Sequence, residues 1–362
     1  MKESKNFVHS QYTNHDRIAI TNNSHFTREG FTGSGTPEDP YVISSIAVDS
    51  QTDAISIQDT TAYFVIRDTQ IISNTQGIYL YNVSNGIIEN CIITSSTNSI
   101  YFHNSVNITI DSADVRTGNY GIRGENVAFS TIENSNVHHN RFGIYMNGES
   151  SMIDIQSCKI FSNSVLGIIL QNETREITIS YCDIGWNGVW DNGILTTNNI
   201  EDLSNITVWN SNRFSDYDGE GTHEIGNSIV INPIPLQDNL APSVSGVDDM
   251  RLDEGDIGHQ TIHWNASDEY ISFYEIWMDG WVVEVGDFYG GQLIFDLEEI
   301  ELGSHNFTAV FIDAAGNEAS DEVWVSVLLD VFGGEGTILV LYSSVLSVGF
   351  VLLILIALKR MR

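Results

Sequence analysis

Four side chains with binding chemistry recur at one fixed step along the chain. Tyr79, Tyr101, Arg123 and Tyr145 follow one another at a constant interval. A tyrosine ring offers an apolar face with a polar tip, and a guanidinium adds a rigid fork of donors. Such a row suits the stacking and hydrogen bonding of sugar rings, provided that a repeat places the four residues on one surface.

A second set follows two positions later at each step, with Tyr81, His103 and Glu125. In a β-strand, residues i and i+2 point to the same face, so both sets are predicted to share a surface. The sequence therefore predicts a glycan-binding surface, here called the tyrosine face, made of Tyr79, Tyr81, Tyr101, His103, Arg123, Glu125 and Tyr145. Ordinary cross-strand stabilisation of an exposed sheet stays open as the alternative, because tyrosine favours strands.

No catalytic residue and no metal ligand is predicted. Glycoside hydrolysis needs two carboxylates around the bond, and Glu125 has no acidic neighbour in either set. The candidates for transition-metal binding are His103 and the pair His138-His139, without a Cys or Met to join them. The histidine pair is expected to lie at a solvated corner.

The spacing comes from an internal repeat, which must position these side chains. A small residue followed by isoleucine recurs at a nearly constant step, at Ala54-Ile55, Gly77-Ile78, Ser99-Ile100, Gly121-Ile122, Gly143-Ile144, Gly167-Ile168 and Gly193-Ile194. A fixed period of this length indicates a solenoid. By the same register, the two outward sets are predicted to end at Leu195 and Thr197.

Each repeat contains two further strand-like segments. One is marked by Ile66, Ile88, Ile110, Ile132, Ile155 and Ile179. The other begins with a small inward residue, in a column of Thr69, Cys91, Ala113, Ser135, Cys158, Cys182 and Ser211. Three short alternating strands per repeat predict an all-β parallel β-helix, in which the cysteines are buried packing residues.

These repeats resemble the right-handed parallel β-helix superfamily, which includes pectate lyases and polygalacturonases. The opening segment Gly33-Ser34-Gly35-Thr36-Pro37-Glu38-Asp39-Pro40 is similar to that of archaeal β-helix surface proteins. The resemblance covers residues 30–232 and implies glycan lying along a groove. The repeat region has none of the catalytic signatures of the polygalacturonases, such as Gly-His-Gly or Arg-Ile-Lys. For this reason a polysaccharide lyase or hydrolase is only an alternative hypothesis. A purely structural envelope component is the other alternative.

A different pattern begins after a proline-containing linker at residues 233–242. Over residues 243–330, short strands are predicted at Gln260–Asn265, Phe273–Met278, Trp281–Val285, Gln292–Asp296, His305–Ile312 and Glu322–Leu328. Together with the turn Asp313-Ala314-Ala315-Gly316-Asn317, this stretch resembles the immunoglobulin-like modules of prokaryotic surface proteins. The resemblance implies a β-sandwich that acts as a spacer or an adhesive unit.

The charge excludes one class of partner. The 362 residues carry a net charge of −33, and residues 241–336 hold 21 acids and one base. Nucleic acid binding needs clustered Lys and Arg, so it is excluded. No cofactor is predicted; Ca²⁺ bound by Asp248, Asp249, Asp253, Glu254 and Asp256 stays open, and the alternative is a solvated acidic surface.

The C-terminus predicts a membrane anchor. Residues 337–358 are uncharged and, as a helix, are long enough to cross a bilayer, and the basic tail 359–362 is expected in the cytoplasm. Residues 1–336 are then extracellular. The start of the chain, Met1 to Ile20, lacks an apolar export signal. A truncated or misassigned N-terminus is therefore expected, and the alternative is a tail-anchored protein with a cytosolic ectodomain.

The sequence thus predicts a single-pass cell-membrane protein. An N-terminal segment and cap (1–50) leads into the β-helix (51–232), which the linker joins to the immunoglobulin-like sandwich and the anchor. Its predicted function is non-enzymatic recognition of glycan or another surface macromolecule.

Overall fold

The computed structural model describes residues 12–329 apart from 192–193, 198, 227, 254–259 and 298–299, and for 189–191, 194–197 and 205–206 it describes only the backbone. Among these residues, no helix has the length and apolar character needed to cross a membrane. The predicted anchor 337–358 and tail 359–362 lie outside the described residues, so both stay predictions.

The first part of the chain is a parallel β-helix with three strands per coil. Strands of the first sheet, which carries the tyrosine face, are Ile18–Ile20, Ile55–Thr60, the first half of Gln76–Glu89, Asn98–His103, Tyr120–Glu125, Phe142–Asn147, Leu166–Leu170 and Ile200–Asp202. Each pairs in parallel with the strand one coil away, so that Ile78, Ile100 and Ile122 are consecutive partners. The predicted isoleucine register is therefore confirmed over these coils.

Two more sheets complete each coil. The second contains Tyr41–Ser44, Phe64–Arg67, the second half of Gln76–Glu89, Val106–Asp111, Ala128–Glu133, Ser151–Gln156, Arg175–Ser180, Asn205–Asn210 and Ile229–Ile231. The third contains Thr13–His15, Ile46–Ser50, Gln70–Ser73, Ile92–Ser95, Asp114–Arg116, Asn136–His138, Lys159–Phe161, Asp183–Gly185, Arg213–Phe214 and Ile234–Pro235. The stack thus begins before residue 51 and reaches into the predicted linker.

The repeated isoleucines build the core of the β-helix. Ile55, Ile78, Ile100, Ile122 and Ile144 have no exposed surface. A small residue precedes each one because the neighbouring coil passes close by: a Cβ added at Gly143 would lie 2.4 Å from the carbonyl oxygen of Gly167. One short helix, Asn23–Arg28, adds Phe26 to the core, stacked on Tyr41 with ring centroids 4.6 Å apart.

An internal asparagine ladder crosses four coils. Asn140 Nδ2 donates to Asn163 Oδ1 at 3.1 Å, Asn163 Nδ2 to Asn187 Oδ1 at 2.9 Å, and Asn187 Nδ2 to Asn199 Oδ1 at 3.1 Å. All four side chains are buried. Each also donates to or accepts from backbone groups at a corner, and this satisfies polar atoms that would otherwise be costly to bury.

The predicted cysteine column is confirmed except at its end. Cys91, Cys158 and Cys182 are free thiols and are buried. Ser211 is not in the column, because Ile184 pairs with Phe214 and this register places Asn212 beside Cys182. The Asn212 side chain accepts from the Cys182 amide at 2.8 Å, whereas Ser211 occupies the corner with a φ of 54°.

The predicted last repeat at Ile194 is wrong, and with it the placement of Leu195 and Thr197 in the outward columns. Ile194–Thr197 pairs in antiparallel fashion with Gly188–Asp191, forming a hairpin inserted into the coil. The strand that follows Leu166–Leu170 in the first sheet is Ile200–Asp202, with Ile200 beside Ile168. The dipeptide Gly193-Ile194 matches the repeat in residue type alone.

Residues 243–329 form two sheets around a separate hydrophobic core, here called the sheet pair. One sheet has the order Ser243–Ser245, Thr261–Ser267, Gly291–Asp296; the other has the order Met250–Asp253, Glu318–Leu328, Gly303–Asp313, Ile271–Met278, Trp281–Asp287. Each of the six strands predicted here overlaps one of these. Trp264, Phe307 and Phe311 are among the buried residues between the sheets.

The sheet pair packs directly against the third sheet of the β-helix. Tyr270 is buried there against Phe161 and Trp186, with ring centroids 5.4 and 4.9 Å away. Its hydroxyl donates to Asp183 Oδ2 at 2.7 Å, and the same carboxylate is paired with Arg213. The two units therefore meet through specific buried contacts, which the linker prediction did not anticipate.

Candidate functional site

The predicted tyrosine face is assembled as two neighbouring columns on the first sheet. Strand pairing places Tyr79, Tyr101, Arg123 and Tyr145 in consecutive coils. The same pairs place Tyr81, His103, Glu125 and Asn147 side by side. All seven predicted residues are half-buried rather than fully exposed, because long side chains in adjacent coils cover one another.

At one end of the face, four rings pack together. The ring centroids of Tyr79 and Tyr101 are 5.4 Å apart, and those of Tyr81 and His103 are also 5.4 Å apart. Tyr101 and His103 stack at 5.9 Å with an interplanar angle of 8°. These distances are typical of favourable aromatic pairs, so the cluster is a stiff apolar surface edged by hydroxyl groups.

Arg123 is the hub that joins the two columns. Its guanidinium carbon lies 4.8 Å from the ring centroid of Tyr101 and 5.8 Å from that of Tyr145. Its NH2 group donates to Glu125 Oε2 at 3.0 Å, and the Tyr101 hydroxyl donates to the same oxygen at 2.8 Å. The planar guanidinium is held by charge on one side and by aromatic faces on the others, which restricts its rotamers.

The phenols of this face stay protonated over the physiological range. Burial, together with the hydrogen bond to Glu125, raises the pKa of Tyr101 to about 12. Burial also raises the pKa of Tyr79 and that of Tyr145. Each of these hydroxyl groups therefore remains an uncharged donor and acceptor, which is the chemistry that matches sugar hydroxyls.

Two aromatic residues of the face were missed by the sequence prediction. Tyr120 lies 5.1 Å from Phe142 and 5.1 Å from Tyr145 between ring centroids, and the Arg123 guanidinium carbon lies 5.4 Å from the Tyr120 ring. Strict alternation would not place them beside Arg123. Gly121 and Ile122 are both buried at the corner, so alternation begins only after Ile122. The signal available in the sequence was an aromatic pair separated by the repeat interval.

The predicted solvated position of the histidine pair is wrong. His138 is only 5% exposed, and its ring stacks on Phe161 at 5.0 Å. His139 Nε2 lies 2.6 Å from the carbonyl oxygen of Ser272 in the sheet pair. The sheet pair covers this corner, and a contact between residues so far apart along the chain leaves no trace in the local sequence.

The hydrogen-bond partners of His138 and His139 indicate which of their ring nitrogens carry a proton. A carbonyl oxygen only accepts, so His139 donates from Nε2 to Ser272 and its Nδ1 accepts from His138 Nδ1, 2.7 Å away. His138 Nε2 faces Asp114 Oδ1 at 3.1 Å. Burial opposes ionisation of Asp114, but His138 and Arg116 outweigh it and lower its pKa to about 2. His139 is then the neutral ring, because burial and the neighbouring His138 lower its pKa to about 3.

One group of acids among the described residues could share a cation. Carboxylate oxygens of Asp238, Asp268 and Asp313 lie within 4.8 Å of one another. Burial raises the pKa of Asp268 and that of Asp313. These are not the acids predicted for Ca²⁺: for Asp248, Asp249 and Asp253 that role stays a prediction, and residues 254 and 256 lie outside the described part of the chain.

Comparisons with known proteins concern the fold. No curated protein sequence matches the chain. The fibronectin(III)-like modules of Clostridium thermocellum CbhA match with a TM-score of 0.18 and 15% identity, covering 24% of this chain and 98% of theirs. Alginate lyase from Paenibacillus sp. matches with a TM-score of 0.39 and 12% identity, covering 55% of this chain and 76% of the lyase. The tailspike protein gp49 from Pseudomonas phage LKA1 matches with a TM-score of 0.37 and 10% identity, covering 72% of this chain and 67% of the tailspike.

The sequence match agrees with the strand pairing. Residues 53–203 match the family described as "Right handed beta helix region". Within that range, strand after strand pairs in parallel with its equivalent one coil away. This part of the chain is a right-handed parallel β-helix.

Proposed function

We propose that the chain is a membrane-anchored cell-surface protein that binds glycan, or another macromolecule, on the tyrosine face without catalysing a reaction. The sheet pair is then an immunoglobulin-like module between the β-helix and the anchor at 337–358. In this proposal the ectodomain is extracellular and the basic tail 359–362 is cytoplasmic.

One observation carries the proposal: the aromatic rings and Arg123 form a continuous, pre-packed surface across consecutive coils. Tyr79, Tyr101 and Tyr145 are each partly exposed, and Arg123 lies against the rings of Tyr101 and Tyr145. Rigid aromatic side chains lose little conformational entropy on binding, which favours affinity for a flat ligand. A sugar chain lying across the coils would meet one such side chain per coil.

The charge distribution supports the same class of ligand. Arg123 is balanced by Glu125, so the face itself is close to neutral, on a chain whose net charge is −33. Polyanions are repelled by such a chain, and an apolar partner would displace water from the tyrosine hydroxyl groups without offering hydrogen bonds in return. An uncharged ligand that is rich in hydroxyl groups therefore matches the tyrosine face best.

A glycan array tests the proposal directly. The full chain, purified in detergent, is expected to bind a subset of immobilised glycans, and Tyr101→Ala is expected to lose that signal. Tyr181→Ala is the matched control, since Tyr181 is 64% exposed at a corner of the β-helix away from the face. A blank array, or equal loss in both variants, would contradict the proposal.

A further inference from the structure

A polar cleft lies where the β-helix meets the sheet pair. Its volume is about 370 Å³, at the lower end of the range for small-molecule sites. Asn119, Arg141 and Ser164 line it from corners of the β-helix, and Asp287 lines it from the sheet pair. Both units thus contribute to one concave surface.

The cleft is continuous with the tyrosine face. The Arg141 guanidinium carbon lies 4.9 Å from the ring centroid of Phe142, which stacks on Tyr120. Tyr120 in turn contacts Arg123 at the hub of the face. Arg141 also donates to Asn119 Oδ1 at 3.3 Å, across the step between two coils. An unbroken line of side-chain contacts therefore leads from the tyrosine face around the corner into the cleft.

The residues that line the cleft determine which class of ligand it can bind. Hydroxyl and amide groups dominate the wall, from Ser96, Thr117, Asn119, Ser162 and Ser164. Arg141 and Asp287 bring opposite charges, so the cleft has no net charge to attract an anion. An apolar ligand would leave these polar groups without partners, and a carboxylate or phosphate would face Asp287.

We propose that this cleft is a second subsite for the glycan, and that it takes an uncharged sugar unit held between Asn119 and Arg141 of the β-helix and Asp287 of the sheet pair. This inference rests on the proposed function. It gives the sheet pair a direct part in recognition rather than that of a spacer alone. The ligand then spans both units, so affinity rises with the length of the oligosaccharide.

The experiment measures affinity against oligosaccharide length. Probes are neutral gluco-, manno- and galacto-oligosaccharides of increasing length, with oligogalacturonates as the charged comparison, titrated into the full chain. Ser164→Tyr fills the cleft from an exposed position, and Asp287→Asn removes the carboxylate with little change in shape. Thermal unfolding of each variant checks that folding is intact.

For the long neutral oligomers, both variants are expected to lower the affinity by about tenfold, because Asp287→Asn loses one charge-assisted hydrogen bond and Ser164→Tyr occupies the space of the sugar unit. Short oligomers held on the tyrosine face should bind as before. If Ser164→Tyr binds long oligomers with unchanged affinity while Tyr101→Ala loses affinity, the cleft is not a subsite. The proposed function would then still hold. If only the oligogalacturonates bind, the proposal that the ligand is an uncharged sugar is wrong. If no probe binds, the proposed function fails together with this inference.

Discussion

His139 donates a hydrogen bond from Nε2 to the carbonyl oxygen of Ser272 at 2.6 Å, and so joins the β-helix to the sheet pair. Burial, and the charge of His138 beside it, lower the pKa of His139 to about 3. The ring is neutral in the folded state, and its Nδ1 accepts from His138. This contact makes the junction between the two units sensitive to acid.

Acid is expected to weaken the junction. Between pH 6.5 and about 3 the unfolded state binds the His139 proton and the folded state does not, so stability falls as pH falls through this window. Asp114 acts in the same direction, because its folded pKa near 2 lies below its unfolded value. Protonated His139 would place two N–H groups against each other, and the stability lost through His139 between pH 6.5 and about 3 is at most about 5 kcal/mol.

Thermal unfolding followed from pH 7 to pH 3 measures the effect. His139→Gln keeps an amide donor for Ser272 without a titrating ring, so its melting temperature should depend less on pH in this window. An equal pH dependence in this variant and in the original chain would show that His139 is not the responsible group.

Tyr270→Phe is expected to destabilise the junction by about 1 kcal/mol, because the buried Asp183 loses one donor while it keeps Arg213. The ring contacts with Phe161 and Trp186 remain. Chemical denaturation measures the change, with Tyr181→Phe at an exposed corner as the control. The hydroxyl contributes nothing if the two variants have the same stability.

Asn163→Ala should be far more costly than a surface change. Asn163 is fully buried, donates to Val137 O and Asn187 Oδ1, and accepts from Asn140. The substitution leaves several buried polar groups without a hydrogen-bond partner, so the free energy of unfolding is expected to fall by roughly 3 kcal/mol or more. The exposed Asn136→Ala is the control, and a loss below that of the control would contradict the structural role of the ladder.

Phe129→Asn is expected to stabilise the β-helix. Phe129 is 62% exposed with a φ of 53°, a conformation that is strained for a bulky residue and tolerated by asparagine. Asn107 holds the equivalent position one coil earlier with a φ of 56°. A gain of about 0.5–1 kcal/mol is expected from relief of this strain, and the reverse change Asn107→Phe should lose a similar amount. Destabilisation by Phe129→Asn would mean that the ring makes a contact worth more than the strain.

The sequence was sufficient for the coil register from Ile55 to Ile168 and for the adjacency of the seven residues of the tyrosine face, because in-register stacking converts a constant step along the chain into spatial adjacency. It was insufficient at the corners. Tyr120 joins the face although alternation places it elsewhere, and Asn163 points inward although asparagine usually marks an exposed turn. Contacts between distant segments, such as His139 with Ser272, depend on how two finished units pack, and no local pattern encodes this.

Glycan binding by the tyrosine face is measured as the affinity of the full chain for a polysaccharide. Affinity electrophoresis with polysaccharides selected on the array compares the original chain with Tyr101→Ala, Tyr101→Phe and Tyr181→Ala. We predict that Tyr101→Ala weakens binding at least tenfold, that Tyr101→Phe weakens it less because the ring remains, and that Tyr181→Ala leaves it unchanged. Equal affinity in all four proteins would show that the tyrosine face does not bind the polysaccharide.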